Sequence, residues 1–232
     1  MKKAVNETGE VDYLKAKEES ALLQVYFRKL RKIPAQPSWG WPREEKIAVL
    51  INGYNAGVIK LILDHGPVKS VNNIAGFWDF PIVPVGRNSY SLNQVQDDLL
   101  LRQFREEKVI FALTSGTRSS PALRREAYTG PKLEGQLYLA VRDFVNARPE
   151  NQIELGGKKV TLSRLFKWQA RHFLMNWGDS PGEGSWDPLE RATLSFIAHF
   201  LEDPKKVEYL REGGYRVKYT PYDWQLNKTS KT

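Results

Sequence analysis

The residues best suited to chemistry form a hydroxyl-rich segment, 114–121, which reads Thr-Ser-Gly-Thr-Arg-Ser-Ser-Pro. The segment follows the apolar run 109–113, whose length and lack of polar residues predict a buried central strand. A strand that stops there presents small polar side chains at a sheet edge, and the free N–H groups of a following helix could hold an anion or oxyanion. Ser115 and Ser120 are therefore candidate nucleophiles, with Thr114 and Arg118 as candidate binding residues, and an ordinary Ser/Thr/Gly loop is the competing interpretation.

Two amides interrupt the apolar face of a predicted buried helix. Asn52 and Asn55 lie three residues apart on one face, with Tyr54 between them as a further candidate binding residue. A buried amide must find hydrogen-bond partners. The pair therefore either tethers neighbouring backbone or lines a polar pocket.

A carboxylate on another predicted helix offers a base. Asp97 could deprotonate or orient a serine, with Gln96 beside it as a candidate binding residue, although exposed helix carboxylates are common. A serine nucleophile usually needs a base. The three histidines, His65, His172 and His199, have no metal-ligand spacing, and no cofactor or metal is expected.

Hydrophobic periodicity and capping residues predict the elements that position these side chains. One amphipathic helix is expected over 11–33, with Leu22, Tyr26 and Leu30 on its apolar face, and a central buried helix over 43–63, with His65 capping its end. Hairpins are expected over 82–91 and 152–161, further helices from 91, 133, 163, 187 and 203, a loop over 178–186, and a last strand over 215–219. Helices and strands do not alternate regularly, so the sequence predicts the α+β class.

Composition excludes several kinds of chemistry. The chain has no cysteine, which rules out disulfides, thiolate nucleophiles and Cys-based metal sites. Its net charge of +8 permits an anionic polymer as partner, but the basic residues are scattered and no strong nucleic-acid signature is present. No apolar run reaches the ~18 residues of a membrane span.

Six short motifs, in order, resemble the family catalogued as domain of unknown function 547. They start at Val11, Ile51, Ser91, Phe111, Leu162 and Tyr222, and they span about residues 11–227. The resemblance implies a papain-like or transglutaminase-like scaffold with a central, mostly antiparallel sheet packed by several helices. It also implies one globular domain over 11–227, a disordered or leader-derived segment over 1–10 and a polar tail over 228–232. Export is suggested too, although no signal peptide follows Met1.

The chain departs from the family pattern where the family keeps its reactive groups. The resemblance places a Glu-His pair at Gln96 and Asp97, cysteines at Ser115 and Ser120, and a histidine at Ile110. Loss of the thiols together with the histidines removes the base that a serine would need. The hypothesis drawn from this pattern is a catalytically silent domain whose polar cleft binds a small ligand, a peptide or an anionic polymer. The alternative is a serine hydrolase or acyl transferase that uses Ser115 or Ser120 with Asp97.

Overall fold

The computed structural model describes residues 3–34, 40–178 and 187–229, and they form two compact units. Unit 1 runs to Tyr138 and resumes at Asp223, and unit 2 is Leu139–Tyr222. Both units contain helices and strands, which confirms the α+β class. The domain limits suggested at residues 10 and 228 stay predictions. The loop expected over 178–186 lies, apart from Gly178, outside the described residues.

Unit 1 begins with two helices where the sequence predicted one. Helix α1 is Tyr13–Glu18 and helix α2 is Ser20–Arg31. The single helix over 11–33 was wrong because Glu19, at φ −87° and ψ 8°, leaves helical geometry and interrupts the hydrogen-bond ladder. On the predicted apolar face Leu30 is buried, as are Leu23 and Phe27, which were expected beside it, whereas Leu22 is 56% exposed.

Helix α3, Arg43–His65, is the centre of unit 1 and confirms the predicted buried helix. The predicted stripe is buried, with exposures of 7% or less; its members are Ile47, Ile51, Asn55, Val58, Ile59 and Ile62. The helix ends at Gly66, whose φ is +76°, and the His65 ring places Nδ1 2.8 Å from the Leu61 carbonyl oxygen. That contact confirms the capping role expected for His65.

The first predicted hairpin is present and leads into an unusual helix. Strands β1, Val83–Val85, and β2, Asn88–Tyr90, pair in antiparallel register around a turn that contains Gly86. The Ser91 hydroxyl accepts a hydrogen bond from the Gln94 N–H, and the Gln94 side chain accepts one from the Ser91 N–H, which confirms the predicted capping box. The helix that follows is π-helical over Gln94–Gln103.

The central strand predicted over 109–113 was wrong. Glu107–Phe111 form a 3₁₀-helix, and the N–H groups of Ala112 and Leu113 both donate to the Val109 carbonyl. All five residues of the apolar run are nevertheless buried. A short, continuous apolar run indicates that its residues are buried, but it has no hydrophobic periodicity. It therefore cannot distinguish a strand from a tight helical turn.

Unit 2 places small strands among short helices. Helix α4, Leu133–Ala147, runs into it from unit 1 and has the predicted start and end. Strands β3, Gln152–Ile153, and β4, Lys159–Leu162, form the second predicted hairpin. Three helices begin with the predicted caps Ser163, Asp187 and Asp203; they are α5, Arg164–Gln169, α7, Pro188–Phe200, and α8, Pro204–Glu212. The single helix expected from Ser163 to about Asn176 was wrong, because a 3₁₀ turn at Ala170–His172 separates α5 from a further helix, α6, Leu174–Trp177.

Two small sheets stand in place of the one central sheet expected from the resemblance. Strands β1 and β2 form a two-stranded sheet in unit 1. In unit 2 the order is β3-β4-β5, where β5 is Arg216–Tyr219 and pairs in parallel with β4. The expectation failed because the residues assigned to its middle strand, 109–113, take a helical turn and contribute no ladder.

The last described residues of the chain close unit 1. The Val11 N–H donates to the Asn227 carbonyl at 2.8 Å, and the Tyr13 hydroxyl donates to the Asn227 side chain at 2.9 Å. The Asn227 N–H in turn donates to the Gly116 carbonyl at 3.0 Å. The first and last family-like motifs therefore meet each other and the hydroxyl-rich segment.

Gly116 provides a test of how tightly this closure is packed. Its φ is +72°, and an added Cβ would lie 2.7 Å from Ile62 Cδ1. We expect Gly116→Ala to lower the free energy of unfolding by about 1–3 kcal/mol, because both strain and overlap oppose the side chain. Urea denaturation measures the effect.

The matched control is Gly135→Ala in α4, where a Cβ meets nothing within 4 Å. Since alanine favours a helix more than glycine, this variant is expected to gain up to about 1 kcal/mol. A Gly116→Ala protein as stable as the unmodified chain would contradict the packing described at Gly116.

Candidate functional site

Asn55 fixes the hydroxyl-rich segment to α3. Its side-chain nitrogen donates to the Ala112 carbonyl at 2.9 Å, and its side-chain oxygen accepts from the Thr114 N–H at 2.9 Å. The Asn55 amide thus takes the place of a backbone hydrogen-bond partner for the Ala112 carbonyl and for the Thr114 N–H. With 7% exposure it acts as a buried tether.

Ser120 lies in the same buried network. Its hydroxyl donates to the Thr117 carbonyl at 2.8 Å and is 3.2 Å from the Thr114 hydroxyl. Exposures of 2% for Ser120 and 1% for Thr114 remove both from solvent. The structure therefore brings Asn55, Thr114 and Ser120 together, but as internal hydrogen-bond partners.

Ser115 is the more accessible of the two candidate serines. It is half-buried, and its Oγ is 2.8 Å from the Thr117 hydroxyl. Beside it, Gly116 donates its N–H to the Thr114 hydroxyl at 3.2 Å. The segment folds back on itself through these short-range bonds, so the candidate side chains hold the shape of the loop.

The C-terminal segment covers the other side of the hydroxyl-rich segment. The Arg118 N–H donates to the Gln225 carbonyl at 2.9 Å, and the Asp223 N–H donates to the Ser119 hydroxyl at 3.0 Å. The Arg118 guanidinium reaches the Asp223 carboxylate at 3.7 Å with both side chains largely in solvent. A contact of that kind is weak, and it leaves Arg118 at the surface.

The pair Gln96 and Asp97 lies on the π-helix. Both residues are half-buried, and Gln96 Nε2 donates to Asp97 Oδ1 at 3.1 Å. The structure thus pairs the Asp97 carboxylate with its neighbour on the same helix. Tyr54, a further candidate from the sequence, is 3% exposed on α3.

Asn52 fixes a second loop to α3 in the same way that Asn55 fixes the hydroxyl-rich segment. Its side chain donates to the Tyr128 carbonyl at 2.8 Å and accepts from the Tyr128 N–H at 3.0 Å. Gln136 extends the pattern, bonding the Ala127 carbonyl at 2.9 Å and the Thr129 N–H at 3.0 Å. The Glu45 carboxylate accepts from the Gly130 N–H at 2.8 Å. Segment 127–130 is therefore held along its whole length.

Between this fixed segment and α2 lies a cavity of about 230 Å³. The residues that give it an apolar lining are Leu22, Leu23, Tyr26, Ala56, Ile59 and Leu123. Asn52 and Asn55 line its α3 side, and Arg124, Arg125 and Glu126 lie at the polar side. Sequence reasoning missed the cavity, because its walls come from four separate segments and no periodic signal links them.

Burial and pairing set the charges around the cavity. Desolvation by burial raises the pKa of the Tyr26 phenol, which keeps its proton at neutral pH. Hydrogen bonding from Gln136, followed by Arg124, lowers the pKa of the Glu126 carboxyl, which is therefore ionised. The Arg124 guanidinium is 3.3 Å from Glu126, and Arg125 pairs with Glu7. The lining of the cavity thus carries two cations and one carboxylate, and the Glu7 carboxylate pairs with Arg125 from outside the lining.

Two further features concern metal binding and membrane insertion. Over the described ranges, no group of three or more His, Asp and Glu side chains is placed to hold a metal ion. In the same residues α3 is the one helix long and apolar enough to cross a bilayer. Of its most apolar window, 67% is buried inside the protein, as in a core helix.

Comparisons with known proteins give a single match. No curated protein and no solved structure matches the chain. A family model does match, and it supports the family that the sequence motifs resemble. The matched stretch, residues 39–145, contains every candidate site residue named from the sequence, and the family is described as "Protein of unknown function, DUF547".

Proposed function

We propose that the protein is a catalytically silent relative of this family that keeps the scaffold and binds a ligand. The observation that carries the proposal is the state of Ser120. Its hydroxyl is 2% exposed and donates to the Thr117 carbonyl at 2.8 Å. A nucleophile must give its proton to a base and reach a substrate, whereas this hydroxyl is buried and gives its proton to a backbone carbonyl.

The surroundings of the serines support the same conclusion. Sulfur nucleophiles are excluded because the chain has no cysteine. His65 is held at the Leu61 carbonyl, and Asp97 accepts its hydrogen bond from Gln96. At the two positions where the resemblance places cysteines, Ser115 and Ser120 bond to Thr117 and stabilise the loop.

The cavity supplies a place for binding. It lies along the same helix, α3, that tethers the hydroxyl-rich segment, and its apolar lining with a few polar groups at one side is typical of small-molecule sites. Its volume of about 230 Å³ suits a small molecule better than a folded partner.

Serine catalysis remains the competing function, since Ser115 is only half-buried. It would require Ser115 or Ser120 to lose its proton to Asp97 and attack an acyl carbon. The two functions differ in whether either hydroxyl is activated.

A serine-directed phosphonate separates the two functions. We expect intact-mass analysis to find no covalent adduct on the unmodified protein, because the Ser120 hydroxyl is buried against the Thr117 carbonyl and the Ser115 hydroxyl bonds to that of Thr117. The Ser115→Ala and Ser120→Ala proteins serve as matched controls and should also show no adduct. One adduct that disappears in one variant alone would replace the proposal by the serine enzyme.

The stabilities of the same variants give a second prediction. Ser120→Ala should lower the free energy of unfolding by about 1–2 kcal/mol, since it leaves the buried Thr117 carbonyl and Thr114 hydroxyl with fewer partners. Ser115→Ala should have a smaller effect because Ser115 is half-buried. Urea unfolding at pH 7 measures both, and a Ser120→Ala protein of unchanged stability would contradict the structural role assigned to that hydroxyl.

A further inference from the structure

The Arg124 guanidinium carries a buried donor in the lining of the cavity beside α3. Arg124 Nε is buried and has no hydrogen-bond partner among the described residues, although the guanidinium reaches Glu126 through Nη2 at 3.3 Å. The side chain as a whole is 23% exposed, so the guanidinium spans the buried and the open side of the cavity. A buried donor without a partner is unfavourable, and an acceptor on a bound molecule would remove that penalty.

Resting on the proposed binding function, we infer that this cavity binds a small monocarboxylate with an apolar body. The body lies against the apolar wall and the carboxylate accepts from Arg124. Guanidinium groups match the planar geometry of a carboxylate, and such charge-assisted bonds are stronger than neutral ones.

The two amides of the cavity are not available for this role. Asn52 uses both ends of its amide on the Tyr128 backbone, and Asn55 uses both ends of its amide on Ala112 and Thr114. Tyr26 contributes a neutral phenol to the lining, a group that can donate to a carboxylate.

Local charge favours a monoanion over a phosphate or a polyanion. Arg125 is already paired with Glu7, and Glu126 lies beside Arg124. A ligand with two or more negative charges would meet these carboxylates as well as the guanidinium groups, and like charges at short range oppose binding. A primary amine would be repelled by Arg124 for the converse reason.

Internal contacts order the wall of the cavity in the absence of a ligand. Asn52, Gln136 and Glu45 each hold the backbone of 127–130, and Leu23 and Ile59 belong to the buried core of unit 1. A site whose walls are ordered in advance loses little conformational freedom on binding.

Three probes of equal chain length test the ligand class. Sodium octanoate, 1-octanol and octylammonium chloride would be titrated into the full chain at pH 7 by calorimetry, with ligand-observed NMR for weak binding. We expect octanoate to bind saturably and about tenfold more tightly than 1-octanol, and octylammonium to bind more weakly than either. Arg124→Gln should weaken octanoate about tenfold and leave 1-octanol unchanged.

Two further variants separate the apolar wall from the cation. Ala56→Leu narrows the cavity from the α3 side and should weaken octanoate and 1-octanol alike. Arg87→Gln, at the exposed turn of the β1-β2 hairpin, removes the same charge elsewhere and should change neither affinity. Thermal unfolding of each variant checks that the fold is retained. If Ala56→Leu does not fold, the Arg124→Gln variant still tests whether the cation binds the carboxylate.

Each negative outcome of these experiments would contradict a different claim. Octanoate that binds no better than 1-octanol, or equally well to Arg124→Gln, overturns the carboxylate class while a binding function stands. No saturable binding of any probe overturns the cavity as the ligand site. A phosphonate adduct on a serine overturns the proposed function itself, whatever the probes show.

Discussion

Two irregular segments of unit 1 pack against a buried helix, and the backbone groups that this packing buries must still be hydrogen-bonded. Buried peptide groups without partners are strongly unfavourable. Asn52 and Asn55 solve the problem, because each carries a donor and an acceptor in the geometry of a peptide group. Three residues apart on α3, they reach two different segments, one around Tyr128 and one around Thr114. The hydroxyl-rich segment and the wall of the cavity are thus fixed by the same turn of one helix.

The closure by the C-terminal segment follows from that arrangement. Once Asn55 fixes the turn at Thr114, the carbonyl of Gly116 faces Asn227, and the N–H of Arg118 faces Gln225. Asn227 then carries the connection to the start of the chain through Val11 and Tyr13. Since these contacts join residues more than two hundred positions apart, unit 1 includes both the first and the last described segments.

The sequence predicted those features that depend on local physics. The limits of α4, the capping residues Ser91, Ser163, Asp187 and Asp203, and the burial of the α3 stripe all follow from spacing and from side-chain hydrogen bonds within a few residues. The run 109–113 was assigned to the wrong structure because its five apolar residues are buried in either conformation. The cavity could not be predicted, since Tyr26, Ala56 and Arg124 meet only through tertiary packing. Even where Asn52 and Asn55 were recognised, the sequence could not identify the backbone groups to which each amide bonds.

Polar residues at the positions where the family resemblance places reactive groups do not by themselves indicate chemistry. Ser120 and Thr114 are required by the loop whether or not a substrate ever enters, because removal of either hydroxyl leaves a buried partner with one bond fewer. Arg124, which lines an apolar cavity outside the hydroxyl-rich segment, instead has a buried Nε without a hydrogen-bond partner among the described residues. The two regions of unit 1 therefore differ: the polar groups of the hydroxyl-rich segment hold its own backbone, whereas the cavity lining includes a buried donor that the described fold does not use.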